Sequence, residues 1–563
     1  MVSRALKTLP LAIYSLLAFM PIVTAFLLLV VANRPAAQAM AAAYGVTVVL
    51  AWLIWQVPLV QVAASTVEGL VVTLEILYIV FGAILLLNVL QESGAIGKIR
   101  QGLLGISSDR RVQLIIIAWL FGSFIEGASG FGTPAVICVP LLVTIGFPAM
   151  AAVIAMLMIQ STASAFGGVG VPIVIGLQSG LEGNPAVDQE VANLGLTFSD
   201  YLGEVTLKTG LIQGLIGIFM PLLIVMAITT YFGQARSWRD GLPAARFALF
   251  AGLAFALPYT LTAIFIGPEF PTLLGGLVGL ALVIPAAKRG FLAPHSPWDF
   301  PDRHKWPSSW LGANSGPAPA ESSPMTAVQA WTPYVLLSLF LILSRIKFLP
   351  FRGWLQSAQI DVFNIFGTPV SISTQPLFLP GTIFILVVLV TYFLYRMSLG
   401  QLRRATWGAM QKLAATALAI GASVPMAKVF INSGVNNSGL ASMPLTLADG
   451  VANLAGSAWS FFAPFVAMTG SFVAGSTTVS NMMFGLFQFG VAQEIGATPS
   501  LILALQVVGA AAGNMIAVSN IVTAVSTVGL VGREGLVLRK LLPVVGIYLL
   551  VAGIIGLLAA WKI

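Results

Sequence analysis

The chain has 563 residues, of which 58% are hydrophobic and 8% charged, and a formal net charge of +8; an ordinary soluble domain is roughly a quarter charged. Such a composition excludes a soluble globular protein and points to an all-α polytopic membrane protein whose principal surroundings are the lipid bilayer. The surplus Lys and Arg residues are scattered over short loops, so nucleic acid is excluded as a partner and membrane topology accounts for the charge.

An α-helix needs about 17–25 apolar residues to cross a hydrocarbon core about 30 Å thick. Apolar windows predict about twelve transmembrane helices, at 9–32, 37–57, 69–90, 150–175, 206–231, 244–265, 271–287, 328–344, 377–395, 410–431, 500–525 and 541–561. The first is too long for a cleavable signal peptide and lacks a small-residue cleavage site, so it is expected to stay as a span. One cysteine, Cys138, excludes intramolecular disulfides. These elements group into N-terminal helices (1–68), a first repeat (69–290), a connecting region with one helix (291–376) and a second repeat (377–563).

Two further apolar regions, 111–146 and 459–494, are interrupted at their centres by GASGFGTP and AGSTTVSN. Each half holds only about 15 residues, short of a crossing, which predicts two re-entrant hairpins with tips near the midplane. Charge supports this count. If neither hairpin crosses, the basic loops 98–111, 236–246, 288–305, 396–404 and 533–540 share the cytoplasmic side, while the acidic loop 182–204 and both termini face outward. Arg4, Lys7 and the cluster 345–352 then run against the rule. The long polar loops 290–325 and 346–376 carry no nucleotide-binding pattern and read as connectors.

The two interrupted regions resemble one another. GSFIEG begins at Gly122 and GSFVAG at Gly470; Gln160 is matched by Gln506 and Gly167 by Gly513. With opposite predicted orientations, this is an inverted repeat of a hairpin followed by a glycine-broken helix, an architecture of secondary transporters with a midplane site. Where a helix stops inside a membrane, its terminal N–H groups and dipole offer partial positive charge to an anion. Gly127, Gly130 and Gly132 let the backbone turn close to a ligand. Ser129, Thr133, Ser476, Thr477, Thr478, Ser480 and Asn481 supply hydrogen bonds from the tips, and Gln160, Gln506, Asn514, Ser519 and Asn520 from the broken helices.

Intramembrane charge marks function by default. Glu126 is the leading proton-coupling candidate because the second copy has Ala474 in its place; a structural carboxylate capping a helix is the alternative. Glu75 is a second candidate on a proton path, and Lys208 reads as a partner or a path residue. Lys428 either faces a substrate carboxylate or snorkels to the interface. Glu269, in GPEFP, reads as a turn at a helix start. No intramembrane His, Cys pair or paired aspartates appear, so neither an enzyme nor a cofactor or metal is expected.

The segments GSFIEGASGFGTPAV, FALPYTLTAIFIGPEFPTLLGGLVGL, GSFVAGSTTVSN and GNMIAVSNIVTAVSTVGLVGREG resemble the bacterial L-lactate permease family, over about Gly69 to Gly535. That resemblance implies uptake of L-lactate, and of glycolate or related 2-hydroxy monocarboxylates, with protons across a bacterial cytoplasmic membrane. Analogy with hairpin-containing transporters suggests an elevator motion of the hairpin domain. The chain departs from the family pattern at Ser519, where relatives often carry histidine; its own histidines, His295 and His304, fall in a loop. A sodium-coupled carboxylate or organic-anion symporter is the competing reading, because hydroxyls, amides and carbonyls at the tips suit Na⁺ as well.

Overall fold

The computed structural model describes residues 10–32, 34–103, 105–130, 132–312, 325–345 and 349–561. Arg4, Lys7 and parts of both long loops lie outside the described residues. The chain is a helical membrane protein; among the described residues twelve helices are long and apolar enough to cross a bilayer. Among the described residues, β-structure is confined to one antiparallel hairpin, Ile360–Val362 with Ile372–Thr374.

The number twelve matches the expectation, but its membership differs. Arg110–Ser129 and Met443–Ala474 qualify as spans. Pro380–Leu394 is shorter than a span, and the window 206–231 is a pair, Phe198–Gly217 and Met220–Phe232, bent by 42°. The bend has a local cause: Pro221 has no N–H to offer the Gly217 carbonyl. In the first interrupted region the break falls at Gly130–Gly132, past the centre, leaving a first arm of 20 residues and a second, Thr133–Thr144, of 12. The helix Met443–Ala455 lies in a stretch that the apolar windows passed over, because it is only weakly apolar and carries Asp449.

Two long helices, Leu59–Glu92 and Leu399–Ile431, run antiparallel along their whole length. Asn88 Nδ2 donates to the Ala405 carbonyl at 3.0 Å near one end, and Asn432 Nδ2 donates to Glu68 Oε2 at 2.7 Å near the other. Between them Gly69 meets the Pro425 backbone so closely that a Cβ would lie 2.5 Å from Pro425 Cα. Each long helix is followed by a short helix, an interrupted helix pair and a broken span.

The pairs fold back on themselves. Arg110 Nη1 donates to the Ile145 carbonyl, which joins the two ends of the first pair. Trp459 Nε1 donates to Gln488 Oε1 at 2.8 Å near the base of the second. Their directions are opposed. The second arm of the first pair packs on Ala149–Met158 and Val518–Thr527, whose ends meet at Gly312. The second arm of the second pair, Thr477–Glu494, follows the far half of the first broken span, with Gly176 against the Thr478 carbonyl and Gly180 against that of Met482.

The broken spans are 149–181 and 499–527. The first changes from α-helix to a 3₁₀ turn at Ser164–Phe166 and then passes through Gly168, Val169 and Gly170 at φ of 52°, 60° and 75°. Left-handed backbone at a β-branched residue costs about 1–3 kcal/mol and clusters at functional sites. The second span breaks between Asn514 and Val518.

The long-helix contact generates a stability prediction. Gly69→Val is expected to destabilise by about 1–3 kcal/mol through overpacking. Gly45→Val, where a Cβ meets nothing within 4 Å, is expected to be near neutral. Thermal unfolding of the detergent-purified variants measures both.

Candidate functional site

Both tips and both breaks converge. At the first tip, Gly130 and Gly132 have φ of 61° and 75°. A Cβ on Gly130 would lie 2.9 Å from the Gly168 nitrogen, and one on Gly132 would lie 3.7 Å from Asn520 Oδ1. The first tip therefore touches the breaks of both spans. At the second tip, Ser519 Oγ donates to the Gly475 carbonyl at 3.2 Å, and Thr477 Oγ1 lies 3.2 Å from Ser164 Oγ. Asn481 Nδ2 donates to the Pro172 carbonyl at 3.0 Å, so this tip also spans both breaks.

Four helices begin here: at Thr133, Pro271, Thr477 and Val518. The helix Pro271–Lys288 was expected as a span at 271–287, with Glu269 in the turn before it; its place at the site is an addition to the sequence reading. A Cβ on Gly127 would lie 2.4 Å from the Leu273 nitrogen, so this N-terminus abuts the first tip. Free N–H groups and aligned dipoles at helix starts favour an anion.

The interrupted helix also leaves carbonyls without helical donors. Here they are answered from outside. The Ser161 carbonyl accepts from Gln213 Nε2 at 3.1 Å and Tyr548 Oη at 3.0 Å. That of Thr162 accepts from Tyr259 Oη at 3.2 Å, and that of Ala163 from Thr272 Oγ1 at 2.9 Å. Sequence reasoning missed these four donors. They lie on four helices far from the break in sequence, so the pairing shows only once the targets are known.

Glu126 lies at the centre, 3% exposed. Its Oε2 accepts from Gln160 Nε2 at 3.0 Å. The chain then runs on: Gln160 Oε1 accepts from Asn514 Nδ2 at 2.8 Å, and Asn514 Oδ1 from Asn520 Nδ2 at 2.9 Å. A side chain at Gly167 would come within 2.7 Å of Glu126 Oε1, so the absence of a Cβ there makes room for the carboxylate. Among the described residues Glu126 belongs to no ion pair.

Gln506 is the positional counterpart of Gln160 and faces a neutral group instead. Its Nε2 reaches Ser480 Oγ at 3.2 Å and Asn481 Oδ1 at 3.4 Å, and its Oε1 accepts from Gln488 Nε2 at 3.2 Å. The hydroxyls of Thr133 and Ser476 cap their own tips, on the Gly130 carbonyl and the Val479 N–H respectively. Ser129 is buried beside the first tip, and Thr478 turns its carbonyl to Gly176.

Three charged candidates lie outside this group. Lys428 Nζ pairs with Glu68 Oε1 at 2.6 Å and donates to the Ser179 carbonyl at 2.8 Å. Glu75 accepts from Thr374 Oγ1 of the β-hairpin, and Lys208 pairs with Glu204 at 2.6 Å. The structure engages each with a partner away from the tips.

Comparison with known proteins extends the likeness beyond the stretch read from motifs. The family model described as L-lactate permease matches residues 14–562. A putative L-lactate permease of Haemophilus influenzae is 29% identical over 526 residues, covering 89% of each chain. The L-lactate permease of Bacillus subtilis is 27% identical over 548 residues, covering 92% of this chain and 91% of the relative. Glycolate permease GlcA of Escherichia coli is 27% identical over 582 residues, covering 98% and 96%. With a family match over nearly its whole length and, among the described residues, twelve apolar helices long enough to cross a bilayer, the chain is a multi-pass membrane protein that belongs to the L-lactate permease family.

Proposed function

We propose that this protein imports L-lactate, glycolate or a related 2-hydroxy monocarboxylate together with protons. The observation that carries the reading is the convergence of both tips, both breaks and four helix starts on the Glu126–Gln160–Asn514–Asn520 chain. The names of the relatives, lactate and glycolate permeases, supply the substrate class.

In this reading the substrate carboxylate sits at the helix N-termini of the tips, and its 2-hydroxyl bonds to polar side chains such as Thr477, Ser519 and Asn520. Glu126 couples the proton by charge. An ionised carboxylate beside the site repels a second anion, whereas the protonated acid leaves the positive helix ends to the substrate. Substrate and proton then load together and leave together. The opposed pairs act as re-entrant gates and move, with the broken spans, against the long helices Leu59–Glu92 and Leu399–Ile431 in an elevator-type step.

Uptake by purified protein in liposomes tests this. Labelled L-lactate is expected to accumulate under an inward pH gradient in sodium-free buffer, with glycolate competing; accumulation that requires a sodium gradient instead would establish sodium coupling. Failure to transport any monocarboxylate would overturn the reading. Glu126→Gln is expected to abolish accumulation driven by the pH gradient while lactate–lactate exchange persists, and a variant that still accumulates would remove Glu126 from coupling. Asn514→Leu, which removes the donor to Gln160, is expected to raise KM about tenfold, equivalent to about 1.4 kcal/mol, read from initial rates.

A further inference from the structure

A second polar group stands next to the site and has no part in the scheme above. Arg345, the last residue of the helix Ala327–Arg345, pairs through Nε with Glu269 Oε1 at 2.7 Å. The two side chains are 7% and 9% exposed. Phe378 covers the guanidinium, its ring centroid 3.7 Å from Cζ. Among the described residues, Arg345 Nη1 is nevertheless buried without a hydrogen-bond partner. A buried donor left unmade costs about 1–3 kcal/mol, and more for a charged group, so native structures rarely keep one without a reason.

Its position supplies a reason. A Cβ on Gly170 would lie 2.9 Å from the Glu269 nitrogen and 2.4 Å from the Pro268 carbonyl. The ion pair is thus seated on the break of the first span, three residues along the chain from Gly167, which faces Glu126. The helix Pro271–Lys288 that follows Glu269 runs beside the first arm, with Gly276 against Phe124 and Gly279 against Leu120. Arg345 and Glu269 therefore lie beyond Glu126, on the face opposite the ends joined by Arg110 and Ile145.

We propose that Arg345 is a capture site for the substrate carboxylate on the route to the Glu126 centre, and that Glu269 holds the guanidinium in place as the competitor an arriving carboxylate displaces. This rests on the carboxylate-transport reading above. A guanidinium carries five N–H donors in a planar fork suited to a carboxylate, and Glu269 accepts from Nε. Phe378 offers an apolar wall to a short alkyl group. Sharing one cation between Glu269 and the substrate keeps capture weak, so the anion can pass on to the helix ends. The same arrangement accounts for a basic residue on the face where the positive-inside rule does not expect one.

Two substitutions that both break the pair separate capture from bracing. Initial rates of L-lactate uptake in proteoliposomes are measured for wild type, Arg345→Gln and Glu269→Gln. R345Q is expected to raise KM about tenfold with the maximal rate within about twofold, and E269Q, which frees the guanidinium, to lower KM about threefold. A structural brace predicts the same change for both. The proposal stands only if R345Q raises KM and E269Q does not; any other pattern overturns it. If R345Q does not insert, Arg345→Lys, which keeps the charge but loses the fork, is judged by the same criterion. Wild-type protein that takes up no monocarboxylate would overturn the transport reading itself and this proposal with it.

Discussion

A backbone that stops being helical in a membrane has to find every hydrogen bond inside the protein, since hydrocarbon offers none. That constraint organises the centre of this molecule. Once Ser164–Gly170 leaves the α-helix, the carbonyls of Ser161, Thr162 and Ala163 need donors, and Gln213, Tyr548, Tyr259 and Thr272 provide them from four other helices. These bonds do more than satisfy the break. They fix its depth and orientation, so that the N–H ends on the other side of the interruption have a defined position against the two tips.

Close backbone approach is the second condition, and glycine meets it where the geometry leaves no room. Gly127 against Leu273, Gly130 against Gly168 and Gly167 against Glu126 allow the first tip, the first break and the start of Pro271–Lys288 to share one small volume. Any side chain at these positions would push the tip away from the break. The antiparallel long helices set the frame in which this happens, since Gly69 and Pro425 hold them in backbone contact.

The fold class was legible because apolar length and loop charge report the bilayer directly. The glycine and glutamine spacing common to both halves was equally plain in the sequence, and it pointed to the two interrupted regions and two broken spans that meet at the site. What composition did not show was where each interruption falls. A π-helical stretch at Ile115–Phe121 and a break at Gly130–Gly132 produce unequal arms, and a hydropathy average blurs both. Ion pairing was equally hidden. Lys428 read either as facing a substrate carboxylate or as snorkelling to the interface; its bonds to Glu68 and the Ser179 carbonyl were not foreseen, because sequence separation conceals the pairing.

Pairing also gives the strongest physical argument about Glu126. Removing one partner of a buried ion pair leaves an uncompensated charge, which is costly, so Arg111 with Asp109, Lys428 with Glu68 and Arg345 with Glu269 are poorly suited to gain and lose a proton in each cycle. Glu126 has no such tie: its hydrogen bond comes from the neutral amide of Gln160, and the amide chain continues through Asn514 to Asn520. Amides can offer either a donor or an acceptor, so this chain is able to serve the carboxyl group in both protonation states after a local reorientation. In the second half, Ala474 stands where a matching carboxylate would be, and Gln506 turns to Ser480 and Asn481 instead. Among the described residues, the tips and breaks thus gather around one carboxylate, Glu126, that is tied to no cation, and this is what the proposed proton coupling calls for.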